Sequence, residues 1–148
     1  MKKKKKVFID GAIGPDFIAE SIAKHQTKKE IGAHEIFLGQ VRADQKGTGI
    51  VQAIEFSAHE EMAEEKLSEI RELAFDKFNL SCMHVYHSIN KVEAGQICFY
   101  VFASSAHRKD CREAVSWLVD TIKKEVPIFG KEILENGQHH WKSNTEVL

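Results

Sequence analysis

Residues 97–103 read ICFYVFA, seven apolar residues in a row. A strand that is apolar on both sides is buried on both faces, so this segment is predicted to lie in the centre of its sheet. A long amphipathic helix is predicted over residues 105–126, and Pro127 ends it because proline cannot continue a helix. The predicted buried stripe of that helix consists of Cys111, Val115, Leu118 and Ile122, with Trp117 beside it.

The other predicted strands surround this central one. An edge strand is expected around Trp141, after a turn at Asn136-Gly137. A helix is predicted over residues 15–25, with Pro15 in the first turn because its missing N–H costs nothing there. Further strands are predicted over Val7–Ala12, Ala33–Val41, Val51–Ser57 and Cys82–His87.

A second helix is predicted directly after Ser57. The segment Ser57-Ala58-His59-Glu60 matches a capping box, in which the serine oxygen and the glutamate carboxylate accept hydrogen bonds from backbone N–H groups. Residues 42–50 contain Gly47 and Gly49 and are predicted to form a flexible loop. Because strands and helices do not alternate regularly, the sequence predicts an α+β fold. The apolar stripe of the second helix is predicted to comprise Ala63, Leu67, Ile70, Ala74 and Phe78.

Length and charge exclude several classes of protein. The 148 residues contain no linker, so residues 1–148 are predicted to form one domain, with a basic tail at residues 1–6. The chain has 21 Lys and Arg against 22 Asp and Glu; without Lys2–Lys6 the balance is acidic, unlike that of a general nucleic-acid binder. No apolar stretch reaches the ~20 residues that cross a bilayer. Three cysteines without a CxxC pair, and no signal-peptide pattern, favour the cytoplasm.

Two places could bind an anion. At the start of the long helix, His107 and Arg108 follow Ser104-Ser105-Ala106, where free N–H groups and the helix dipole already attract negative charge. A guanidinium fork and an imidazole donor suit a phosphate or a carboxylate. Arg42 lies where a strand meets a glycine-containing loop, a common position for ligand-binding residues. A solvated helix start and an ordinary surface arginine are the alternative interpretations.

Lysines surround the end of the long helix, at Lys123, Lys124 and Lys131. Cations in a last turn complement the helix dipole, whereas a lysine that transfers protons needs burial or a cationic neighbour. Cys111 lies one turn after His107, so the two could form a nucleophile–base pair, although Cys111 also fits the apolar stripe.

No metal site is expected from the histidines. His84 and His87 are three residues apart on a strand and therefore point to opposite faces. The dipeptide His139-His140 has no Cys or acidic residue at ligand spacing.

Five segments resemble motifs of one family, the large, catalytic subunit of molybdopterin synthase. The match runs in order over roughly residues 30–142, and five short motifs in register are jointly specific. The segments are Phe37–Arg42 (F-x-G-x-V-R), Ile54-Glu55-Phe56 with Met62-Ala63, Ser105–Arg108 (S-x-H-R), Asp120–Lys123 (D-x-x-K) and Pro127–Glu132 (P-[IF]-W-K-[KR]-E).

The resemblance implies a fold, an activity and partners. The fold would be an α/β hammerhead with an additional antiparallel sheet. The activity would be that of a sulfurtransferase of molybdenum-cofactor biosynthesis, which converts cyclic pyranopterin monophosphate to molybdopterin. Two sulfurs would come from the thiocarboxylate at the Gly-Gly tail of a small ubiquitin-like subunit. The large subunit would form a homodimer, and a heterotetramer with two small subunits, without a cofactor, metal, nucleic acid or membrane.

The resemblance also implies roles for single residues. Arg42, His107 and Arg108 would hold the phosphate and the pterin, and Phe37 would shape the pocket. Lys123 would meet the thiocarboxylate and stabilise the oxyanion that develops. The implied catalytic residues are Lys123, Lys131 and Arg42. The implied substrate-binding residues are Phe37, Gln40, Val41, Arg42, His107, Arg108, Lys123, Gly130, Lys131 and Glu132.

One departure from the family pattern concerns Gly130, where the family usually has lysine. Either Lys131 takes over that function, since the glycine before it frees the backbone, or Lys123 acts with Arg42 and the second lysine is dispensable. The first alternative is the one expected.

The spacing of the candidates predicts a site built from two chains. His107 and Lys123 are 16 residues apart on one predicted helix, which places them ~24 Å apart along its axis. A pterin monophosphate cannot span that distance. We therefore expect an isologous dimer, in which His107 and Arg108 of one copy lie near Arg42, Lys123 and Lys131 of the other.

The same residues are compatible with two further functions. A non-catalytic module could bind an anionic small molecule or the C-terminal carboxylate of a partner with the same cationic residues. A cysteine hydrolase could use Cys111 and His107.

Overall fold

The computed structural model describes residues 6–47 and 49–143, so that most of the predicted basic tail lies outside it. The elements in chain order are β1 (Phe8–Asp10), α1 (Pro15–His25), β2 (Ala33–Gln40), β3 (Gln45–Lys46), β4 (Gly49–Ala58), α2 (Glu60–Lys77), β5 (Cys82–Glu93), β6 (Ile97–Ser105), α3 (Arg108–Glu125), β7 (Ile128–Leu134) and β8 (His139–Ser143). Among the described residues, no helix is long and apolar enough to cross a membrane.

The sheet order is β2-β6-β5-β4-β7-β8, and β1 and β3 pair with β5 and β4. Only β1 runs parallel to its neighbour among the described pairs. The long strand β5 joins two parts of the sheet, because residues 82–87 pair with β6 and residues 90–93 pair with β4. The predicted α+β class is confirmed.

The central position predicted for the ICFYVFA strand is also confirmed. β6 lies between β2 and β5, and it is covered on both faces. Phe99 and Val101 belong to the core that also contains the buried stripes of α2 and α3. Tyr100 and Phe102 pack on the opposite side with apolar residues of α1. These two layers place the end of α3 directly over the β6 surface.

Helix α1 has the predicted bounds, but the capping box predicted for α2 is wrong. Ser57 and Ala58 still belong to β4, where they pair with Phe129 and Ile128. The N-cap of α2 is His59, which makes no side-chain capping bond. Ser57 therefore cannot be the N-cap of α2, because its backbone is paired in the sheet. The stripe is buried at Ala63, Leu67, Ile70 and Ala74, whereas Phe78 is the half-buried C-cap.

Helix α3 begins three residues later than predicted, at Arg108. The reason is that β6 continues to Ser105, whose backbone pairs with Ala33 of β2. The buried Ser105 hydroxyl still serves the helix, because its oxygen accepts a hydrogen bond from Cys111 N at 3.0 Å and it donates to the carbonyl oxygen of His107. The four residues predicted for the apolar stripe of α3 are all buried.

The predicted flexible loop at residues 42–50 contains regular structure. Its short strand β3 forms a hairpin with β4, with Gln45 opposite Ile50 and Lys46 opposite Gly49. Gly47 adopts a φ of +61°, which glycine tolerates without strain. The predicted turn at Asn136-Gly137 and the edge strand around Trp141 are confirmed by β8.

Candidate active site

Lys123 lies in the last turn of α3 over an aromatic surface of the sheet. Its Nζ is 5.1 Å from the centroid of the Phe99 ring, a cation–π distance. Phe99 is the middle of a row that crosses three strands, with Gly39 of β2 on one side and His87 of β5 on the other. This half-buried lysine therefore presents its charge above apolar surface.

Gly39 allows β2 to approach Phe99 closely. A Cβ at this position would lie 3.0 Å from the Phe99 Cβ, and the strand register shifts between Gly39 and Gln40. Phe37 lies two residues earlier on the same face, with its ring centroid 5.8 Å from that of Phe99. The two rings form an apolar cluster next to Lys123, and the pocket-shaping role implied for Phe37 stays a prediction.

His87 is a member of this site that sequence reasoning missed. Its side chain is 1% exposed and contacts the rings of Phe56 and Phe99, with centroids 5.0 and 5.3 Å away. Its Nδ1 donates to the carbonyl oxygen of Ser88 at 2.8 Å, so Nδ1 carries the hydrogen. Its Nε2 is buried and has no hydrogen-bond partner.

Burial is the main cause that lowers the pKa of His87 to about 4; the Ser88 hydrogen bond opposes this effect, and the positive charge of Lys123 makes a smaller contribution that also lowers the pKa. The imidazole is therefore neutral at physiological pH. The sequence signal was a histidine on the face of β5 that also carries Met83 and Val85, and spacing alone assigned it only to the face opposite His84. That assignment is confirmed, because His84 contacts His25 and Phe102 on the α1 side.

Arg42 lies two residues after the end of β2 and is half exposed. Its guanidinium forms an ion pair with Asp44 at 3.0 Å, and both residues begin the β3–β4 hairpin. The preceding Val41 is buried, and its backbone N–H and carbonyl bond to Gln96 and Gly95. Val41 is therefore an anchor for this chain segment, whereas Gln40 is exposed.

Gly130 has a steric reason to be glycine. It lies in β7 opposite Phe56 of β4, and a Cβ here would come within 2.9 Å of the Ile54 Cγ2. A distance this short cannot be accommodated unless a neighbour moves. The lysine expected by resemblance at this position would therefore require a different arrangement of Ile54.

Lys131 lies on the other face of β7. Its Nζ is 5.8 Å from the ring centroid of Trp141, and its cross-strand neighbour on β4 is Glu55. Gly130 and Glu132, by contrast, are buried in the face that packs on Phe56 and Ile54. The structure therefore separates Lys131 from the Phe99 surface, and its compensating role stays a prediction.

Glu132 is a buried carboxylate that joins three elements. It is 1% exposed, and its Oε1 lies 3.2 Å from His140 Nδ1 of β8 and 4.0 Å from Lys46 Nζ of β3. A buried carboxylate needs such partners. This contact attaches the hairpin that begins at Arg42 to the β7–β8 part of the sheet.

His107 and Arg108 are exposed at the opposite end of α3. They lie on the far side of an uninterrupted helix from Lys123, so one copy of the chain does not bring all the predicted residues together. Cys111 is 1% exposed, and its Sγ donates to the carbonyl oxygen of Arg108 at 3.5 Å. This burial favours the packing role over the hydrolase interpretation.

Two other features lie apart from these residues. A groove of about 610 Å³ lies between α2 and β5, and none of the candidate site residues lines it. Among the described residues, no group of three His, Cys, Asp or Glu side chains is placed to hold a metal ion.

Comparisons with known proteins agree with one another. The family model described as "MoaE protein" matches residues 15–125. A molybdopterin synthase catalytic subunit from Pyrococcus abyssi is 32% identical, with 83% of this chain and 82% of the relative covered. One from Thermoplasma volcanium is 36% identical, with coverages of 77% and 82%. The crystal structure of molybdopterin synthase from Staphylococcus aureus superposes with a TM-score of 0.81 at 28% identity, covering 93% of this chain and 96% of that one.

Proposed function

The chain belongs to the MoaE protein family, and we propose on that basis that it is the catalytic subunit of a molybdopterin synthase. Its substrate would be cyclic pyranopterin monophosphate, which receives two sulfurs to become molybdopterin. The observation that carries the proposal is the match over 15–125, since it includes both Arg42 and the Lys123 that lies over the Phe99 surface. The proposal also includes the cytoplasmic location that the sequence predicts.

The geometry at Lys123 suits sulfur transfer. The thiocarboxylate sulfur forms a bond to a substrate carbon while that carbon loses its bond to oxygen, and the displaced oxygen leaves with the electron pair and is protonated. Water then hydrolyses the resulting thioester, which leaves the sulfur on the substrate and a carboxylate on the partner. Negative charge develops on oxygen in both steps, and a cation above an apolar surface stabilises it strongly because little water screens the charge. Phe37 is partly exposed and offers flat apolar area to the pterin ring, and the fully buried Phe99 supports it from within the sheet. The Arg42 guanidinium can bind phosphate through two parallel hydrogen bonds once it leaves Asp44.

A second copy of the chain would complete the site. His107 and Arg108 carry the donors expected for the phosphate, yet α3 holds them ~24 Å from Lys123 of the same chain. An isologous dimer brings the start of one α3 near the end of the other without bending either helix. The homodimer is thus the arrangement that lets all the matched residues serve one substrate.

A small subunit would deliver the sulfur. One solved structure with the same fold, from Helicobacter pylori, is described as a complex of subunits 1 and 2 of molybdopterin-converting factor. For this chain, we propose a ubiquitin-like partner with a Gly-Gly thiocarboxylate tail, and a heterotetramer of two large and two small subunits.

Reconstitution tests the proposed function directly. The protein is mixed with the precursor and with a small subunit carrying either a thiocarboxylate or an ordinary carboxylate. The dithiolene product is expected only with the thiocarboxylate, whereas the carboxylated partner binds without reaction. Binding of both partners with no product from either would support the non-catalytic module instead.

A further inference from the structure

The strongest unexplained feature near the site is the orphaned nitrogen of His87. Fully buried polar atoms in proteins are nearly always hydrogen-bonded, so an unpartnered one calls for an explanation. Here the Nδ1 hydrogen is used by the Ser88 carbonyl, which leaves Nε2 with a lone pair and no hydrogen. A buried lone pair of this kind can accept a hydrogen bond from an ammonium group or from another N–H or O–H donor.

Lys123 is the cation that this acceptor can serve. The Lys123 Nζ and the His87 ring lie 5.1 and 5.3 Å from the centroid of the same Phe99 ring. His87 pairs with Phe99 on the neighbouring strand, and the Lys123 side chain extends from α3 to contact the Phe99 ring. Phe56 covers His87 from β4, so water has little access to the imidazole.

We propose that His87 is a positioning residue for Lys123: its neutral imidazole presents the Nε2 lone pair to the ammonium, holds it over Phe99 and favours its charged form. This inference rests on the proposed function for its role in turnover. It assigns Lys123 the work of a fixed cation and proton donor at the reacting oxygen, rather than that of a neutral amine nucleophile.

The other titratable groups near His87 and Lys123 have interactions of their own or are exposed to solvent. Cys98 on β6 donates to the carbonyl oxygen of Gly39, and Glu132 on β7 is held by Lys46 and His140. Arg42 after β2 is paired with Asp44. On α3, Asp120 and Lys124 are exposed to solvent, which screens their effect on Lys123. Asp120 lies one turn before Lys123 and therefore provides a matched control.

The test is a measurement of the Lys123 pKa in the full chain by NMR on ¹³C- and ¹⁵N-labelled lysine. His87→Phe keeps a ring but removes the acceptor, so the pKa of Lys123 is expected to fall by about one unit or more. His87→Gln restores an acceptor and should keep the pKa near the wild-type value. Asp120→Asn should change it by only a few tenths. An unchanged pKa in His87→Phe, or equal falls in both His87 variants, would overturn the proposal.

A reciprocal measurement covers the case in which His87→Phe does not fold. Because coupling between two sites is mutual, Lys123→Met should raise the pKa of His87 above about 4, as read from its imidazole ¹⁵N shifts. No rise would contradict the inference. Both measurements use the protein without substrate or partner, so they stand whether or not reconstitution yields product. In an active reconstituted enzyme, the alkaline limb of the rate profile should move to lower pH in His87→Phe but not in His87→Gln.

Discussion

Gly130 illustrates how one residue limits what this site can contain. Its place opposite Phe56 would leave 2.9 Å between an added methyl carbon and the Ile54 Cγ2, which is attached to a stiff β-branched side chain. Lys131 cannot reach the same face without leaving Trp141, because neighbouring residues of a strand point to opposite sides. On the side of the sheet that Gly130 faces, the cation with a defined place is therefore Lys123 of α3, which lies over Phe99.

We expect Gly130→Ala to destabilise the fold by about 1–3 kcal/mol, because the added methyl group overpacks the contact with Ile54. Chemical denaturation measures this loss. The double variant Gly130→Ala with Ile54→Ala should recover about 1 kcal/mol relative to the sum of the single changes. Strict additivity of the two changes would show that the two residues do not compete for space.

His87 should also make stability depend on pH. Its pKa is about 4 in the folded chain and near 6.5 when unfolded, so below pH 6.5 the unfolded state takes up a proton that the native state does not. Stability from this source is complete above pH 6.5 and is lost as the pH falls towards 4, by about 3 kcal/mol. Urea unfolding from pH 7 to pH 4.5 should show this loss in the wild type and a smaller loss in His87→Phe. Parallel curves for the two proteins would argue against it.

At the scale of single elements, α3 is positioned by a residue outside it. Ser105 ends β6, yet its hydroxyl accepts from Cys111 N inside the first turns and donates to the His107 carbonyl. Strand and helix are thus joined through one buried side chain. The orientation of His107 and Arg108, which follow it directly, depends on this contact.

Ser105→Ala should lower the free energy of unfolding by about 1–2 kcal/mol, since the variant leaves backbone groups at the start of α3 without their partner. Thermal or urea unfolding gives the value. Ser116→Ala is the matched control, because Ser116 is exposed in the middle of the same helix and alanine is a better helix former there. A loss no larger than that of the control would mean that the cap does not support α3.

Elements with strong local signals were predictable from the sequence. The continuous apolar run of β6 and the proline that opens α1 need no knowledge of distant residues. The capping box at Ser57 and the start of α3 were predicted wrongly, because in both places sheet pairing with a distant strand extends the preceding strand. The role of His87 and the steric need for Gly130 depend on cross-strand neighbours and were therefore beyond sequence patterns.

At the scale of the whole molecule, distance decides which residues can share one substrate. Lys123 lies over Phe99, which pairs with Gly39 near the end of β2 that leads to Arg42, whereas His107 and Arg108 lie at the other end of α3. Under the proposed function, the residues of the five motifs serve one substrate only if two copies share each site. Oligomeric state and activity are therefore expected to be inseparable.

Complementation between two inactive variants tests this claim most directly. His107→Ala and Lys123→Ala are each expected to be nearly inactive in the reconstituted assay. After the two are mixed and allowed to exchange subunits, half of the dimers are mixed and each has one intact site, so about one quarter of the wild-type activity should return. A mixture that stays as inactive as its components, although mass spectrometry shows mixed dimers, would contradict a site shared between chains.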